Sequence, residues 1–113
     1  MSVQPGQHNI AVQRRADFDL QLQFKDSADA PIDLTGWTAY AQVWNRGRST
    51  KYADFAITYV NRAQGTIKIA LTDVQTAEFP DEAYYDVLLE DTAGLRNYYL
   101  EGIVYVSEGY TAP

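Results

Sequence analysis

The chain has 113 residues, no cysteine and a formal net charge of −6. A chain of that length suits one domain built on one core, and a single domain over residues 1–113 is expected. The composition excludes a disulfide framework and thiolate metal sites, and the acidic balance without a basic stripe argues against nucleic acid as a partner. No apolar run approaches the roughly 20 residues of a membrane span, and Met1–Gln7 lacks the apolar centre of a secretory signal.

In chain order, Ile10 and Val12 alternate with small or polar neighbours and predict a short strand over Asn9–Gln13. Asp17–Lys25 is the clearest strand: Phe18, Leu20, Leu22 and Phe24 recur with period two among polar residues, which places four apolar side chains on one core face. Asp26–Ala30 is a polar turn, and Ile32 and Leu34 bracket a brief extended piece. Trp37–Asn45 predicts a strand with Trp37, Ala39, Ala41 and Val43 inside; Tyr40 and Trp44 fall on the other face. Arg46–Ala53 reads as a polar loop, carrying Arg46, Arg48 and Lys51.

Asp54–Val60 alternates through Phe55, Ile57 and Tyr59. Asn61–Gly65 is hairpin-like, with Gly65 able to take positive φ. Thr66–Thr72 presents Ile67, Ile69 and Leu71 to the core. Thr72–Phe79 loses the period of two; Thr72 or Asp73 can cap one helical turn, which Pro80 stops. Ala83–Glu90 is a strand with Tyr85, Val87 and Leu89 in phase, and Asp91–Gly94 is a turn. Asn97–Ser107 is the last strand, with Leu100, Val104 and Val106 in phase and Gly102 at a bulge or close approach. Glu108–Pro113 is a peripheral tail.

This pattern gives an all-β protein: about seven strands at turn spacings of roughly 10 residues, with one short helical turn, as in an antiparallel β-sandwich or small barrel. Asp81-x-Ala83-x-Tyr85-x-Val87 resembles the corner of immunoglobulin-like domains, where the tyrosine hydroxyl bonds to backbone upstream. It favours an immunoglobulin-like sandwich.

Catalysis needs a nucleophile, a base or a metal in a cleft. The one histidine, His8, lies near the chain end, and no nucleophile elbow, phosphate loop or zincin motif is present. Asp26, Asp29 and Asp33 cluster around one turn, but they lack the spacing of a calcium loop and suit turn hydrogen bonds. No enzyme activity, cofactor or metal is expected. What remains is surface. Tyr40, Trp44, Tyr52, Tyr84, Tyr99 and Tyr105 fall outside the expected core, and two readings stand: cross-strand aromatic pairing, or a partner surface rich in tyrosine, tryptophan and arginine. The candidate interface is Tyr40, Trp44, Arg46, Arg48, Tyr52, Tyr99 and Tyr105.

The ordered runs F-D-L-Q-L-Q-F-K-D-S (Phe18–Ser27), P-I-D-L-T-G-W (Pro31–Trp37), A-Q-V (Ala41–Val43), L-T-D-V-Q-T-A (Leu71–Ala77), Y-Y-D-V-L-L (Tyr84–Leu89) and L-x-G-x-V-x-V (Leu100–Val106) span nearly the whole chain. Together they resemble the small immunoglobulin-like structural proteins of tailed bacteriophages, including the N-terminal domain of baseplate upper proteins. The resemblance implies a virion protein without catalytic activity, made in the host cytoplasm. It would dock other virion structural proteins, in several copies around a symmetry axis. Ending at Pro113 without a receptor-binding domain or trimerising coiled coil, the chain is expected to act as a tail or baseplate adaptor. The alternatives are a capsid decoration protein and a carbohydrate-binding module that stacks sugars on exposed aromatics.

Overall fold

The computed structural model describes residues 6–111. The expectations for Met1–Gln7 and for the 108–113 tail therefore lie partly outside the described residues. Two sheets pack face to face. The larger holds β1 (Gly6–Gln7), β2 (Ile10–Gln13), β4 (Thr38–Trp44), β5 (Lys51–Asp54), β8 (Glu82–Glu90) and β9 (Arg96–Ser107), in the order β1-β9-β8-β4-β5 with β2 also on β9. The smaller is β3 (Phe18–Gln23), β7 (Thr66–Leu71) and β6 (Ala56–Asn61), in the order β3-β7-β6. The two sheets form a β-sandwich in which β3-β7-β6 faces β9-β8-β4.

The core lies between the sheets. Val43, Ala83, Val87 and Val104 of the larger sheet meet Ile67, Ile69 and Leu71 of the smaller, with Leu34, Phe55 and Phe79 closing the ends; all are buried. Ala39 and Ala41 are buried as the small residues of the Trp37 run predicted, and Trp37 packs half-buried against the core. Phe24 is buried, whereas Phe18, Leu20 and Leu22 are half-buried although they pack on the core. Their strand, β3, is at a sheet edge and is covered from one side only.

Local sequence accounts for the connections. Thr72 caps α1 (Asp73–Thr76): its hydroxyl accepts from the Gln75 amide while the Gln75 side chain accepts from the Thr72 amide. This reciprocal capping box satisfies two otherwise orphan donors. A 3-10 turn (Arg62–Gln64) ends at Gly65, whose φ is 70°. A Cβ there would stand 2.6 Å from the Phe24 carbonyl oxygen, so both the backbone angle and the space demand glycine.

Four expectations are corrected. First, the sandwich is not wholly antiparallel: β1 and β2 run parallel to β9, Gly6 beside Leu100 and Ile10 beside Val104. Second, the polar loop after Trp44 ends at Thr50, and Lys51–Asp54 forms β5 on β4. Third, Phe55 is not part of the following strand. It marks the crossing from one sheet to the other and donates its amide to the Ala41 carbonyl at 2.9 Å. Fourth, Tyr85 does bond to backbone upstream, but its acceptor lies at the N-terminal strands of its own sheet and not a few residues before it. Its ring is buried and its hydroxyl donates to the carbonyl of His8 at 2.5 Å, between β1 and β2.

A candidate binding groove on the outer face of the larger sheet

Alternation along three adjacent strands builds the outer face in rows. Tyr40 of β4, Leu88 of β8 and Tyr98 of β9 stand in register; next come Gln42, Asp86 and Glu101, then Trp44, Tyr84 and Ile103. Two aromatic and apolar rows thus flank a polar one. Gln7 extends the polar row from β1, pairing with Glu101 in register and donating from its amide to the Glu101 carboxylate at 2.5 Å. Together these side chains line a groove of about 660 Å3, within the roughly 300–1,000 Å3 of small-ligand sites.

The β4–β5 loop forms one rim. Asn45 organises it: its side-chain oxygen accepts from the amides of Ser49 (2.8 Å) and Thr50 (3.1 Å), and its carbonyl accepts from the Arg48 amide at 3.0 Å. Arg48 takes a left-handed φ of 55°, and its guanidinium lies 4.5 Å from the Trp44 ring centroid, a cation–π contact. The Trp44 indole N–H donates to Gln42 Oε1 at 2.8 Å, fixing the ring from the other side. Arg46 borders the same rim. Arg96 sits opposite, with Nε 2.5 Å from Glu90 and its guanidinium 5.9 Å from the Tyr40 ring.

The floor is acidic. Asp86 and Glu101 face each other across β8 and β9 as a like-charged pair, an unfavourable cross-strand arrangement. Burial, and then the Glu101 charge, push the Asp86 carboxyl above its ordinary range, while Arg48 partly offsets this. Neither carboxylate forms an ion pair among the described residues.

Of the seven side chains expected at a partner surface, Tyr40, Trp44, Arg46 and Arg48 come together in this groove. Tyr105 is exposed on the same face, beyond the groove, with Glu82 as its cross-strand neighbour. Tyr52 and Tyr99 do not join them. Tyr99 is half-buried in the core, 6.1 Å from Phe24 and 6.3 Å from Trp37 between ring centroids. Tyr52 packs on the core 6.2 Å from Phe79. Sequence reasoning missed Asp86, Tyr98 and Glu101. The first was within reach, since Asp86 alternates in phase with Tyr84 and Leu88. The clustered aspartates are turn residues: Asp26 accepts from the amides of Ala28 and Ala30, and Asp33 from Thr35.

A family model described as LtfC-like, beta-sandwich domain matches residues 4–107. The chain belongs to the LtfC-like β-sandwich domain family. The match agrees with the two-sheet architecture, and its phage association supports a phage-related β-sandwich protein. No curated protein matches the chain. Within this LtfC-like domain, the matched residues include every strand and the whole groove.

Proposed function

We propose that this LtfC-like domain is a non-enzymatic structural component of a phage virion, an adaptor of the tail or baseplate. Such an adaptor makes two contacts: one seats it on the virion, the other engages a further partner. The observation that carries the reading is the outer groove, where four aromatic rings and three arginines gather on one sheet face. Tyrosine, tryptophan and arginine dominate the energetics of binding surfaces. The opposite sheet face offers Asp19, Gln21, Gln23 and Thr58 to solvent and suits a flat, wet contact. The family's phage association supports the virion setting, and the resemblance to baseplate upper proteins supports the tail.

The test is to separate heads from tails of the phage that encodes the chain and probe both with an antibody to it. The adaptor reading expects the protein with tails. Recovery with heads would make it a decoration protein instead, and absence from both would overturn the virion assignment.

A further inference from the structure

We infer that the groove is a carbohydrate site and that its ligand is a neutral, hydroxyl-rich oligosaccharide. The inference rests on the reading of this face as the adaptor's second contact and goes beyond it in naming the ligand's chemistry.

The signs of the charges lead to it. The floor holds Asp86 and Glu101, and the rims hold Arg46, Arg48 and Arg96. An anionic ligand entering the groove meets two carboxylates that already repel each other. A cationic one passes guanidinium groups on both sides. An apolar peptide would cover both carboxylates without giving them donors, which is costly. Sugar hydroxyls meet all of these groups at once. Each hydroxyl donates to a carboxylate, a charge-assisted bond stronger than a neutral one, and accepts from a guanidinium or from the Gln7 or Gln42 amide.

The rings supply the rest. Trp44 has Arg48 over it and Tyr40 has Arg96 near it. Tyr84 and Tyr98, from neighbouring strands, have no cation over them among the described residues. Their negative π faces attract the weakly positive C–H faces of a sugar ring. Aromatic rows on either side of a row of planar polar groups offer stacking and hydrogen bonding alternately along the groove. Because the ligand carries no net charge, its binding depends little on salt.

The experiment is binding of the purified chain to immobilised neutral polysaccharides (dextran, mannan, β-glucan, galactan and rhamnan), with heparin and polylysine as charged controls, at low and high salt. The expected result is retention on at least one neutral polysaccharide, unchanged by salt. Tyr98→Ala and Asp86→Ala should each weaken it about tenfold, the loss expected for one stacking ring or one charged hydrogen-bond partner. Thermal melting of both variants confirms that the fold is intact, and Tyr84→Ala serves if either fails to fold. Retention on none of the neutral polysaccharides overturns the inference, as does retention only on heparin or polylysine, or an oligomer of this chain that the same substitutions dissociate. Tail association, measured on the same variants, separates the two readings. Tails bound without glycan sinks the carbohydrate site alone, and glycan bound without tails sinks the adaptor alone.

Discussion

Asp86 has a cost that the free protein carries at neutral pH. Its folded-state carboxyl titrates above the ordinary value of 3.8, through burial first and the Glu101 charge second. A carboxyl raised on folding binds more protons in the folded chain than in the unfolded one, so stability falls as pH rises through the folded value. The penalty is absent below pH 3.8 and complete above the folded pKa. Asp86→Asn should therefore melt at a higher temperature than the native chain at neutral pH, and the gap should close on acidification. Calorimetry across pH checks this. A gap that is constant with pH would mean that Asn acts through packing instead. Side chains that cost stability in this way gather at working surfaces.

Three bulges explain where the sequence was legible. Strict alternation holds through Phe18–Phe24, Thr38–Trp44 and Glu82–Glu90, and there the inner and outer faces followed from counting by two. Alternation cannot register an inserted residue, since one extra position reverses every later side chain. On β9 the register slips between Tyr98 and Leu100, leaving Tyr99 as the extra residue. Counting back from Leu100 puts Tyr99 outside; the bulge turns it into the core and sends Tyr98 out to the groove instead. On β5 the slip leaves Tyr52 between the pairs Val43–Ala53 and Trp44–Lys51, and Tyr52 turns onto Phe79. Val60 of β6 is the third such residue and is exposed. The two interface tyrosines placed wrongly from sequence are thus both bulge residues. The glycine of the last strand was legible as a close approach, though not which backbone approached it. A Cβ on Gly102 would lie 2.0 Å from the His8 carbonyl oxygen. At that point Asn9 replaces a backbone acceptor, its side chain taking the Ile103 amide at 2.9 Å. Gly102→Ala should push β1 off β9, break the Tyr85–His8 bond and cost about 2–3 kcal/mol, as overpacking does. Denaturant unfolding measures the loss, and amide exchange should localise it to His8. Native stability in the variant would show that the N-terminal strands can move aside freely.

The molecule as a whole divides its labour between two faces of one core. The larger sheet presents rings, arginines and a carboxylate pair; the smaller presents Asp19, Gln21, Gln23, Thr58 and the part-exposed Lys68. Such a division lets one outer face be altered without touching the other, because the packing between the sheets is made by their inward residues. The parallel pairing of β2 with β9 adds a mechanical property. Gln13 lies beside Ser107, and Gly6 beside Leu100, so β1 and β2 run alongside the last strand in the same direction. Tension applied between Gly6 and Ser107 pulls these neighbours past one another lengthwise. The hydrogen bonds that join them are loaded together and not opened one after another, as they would be in a hairpin pulled from its open end. A domain loaded in that geometry resists unfolding by force well beyond what its equilibrium stability suggests. Pulling single molecules through these two points should give a sharp force peak, and Gly102→Ala should lower it. Under the proposed tail role, such resistance to force would matter more than the melting temperature.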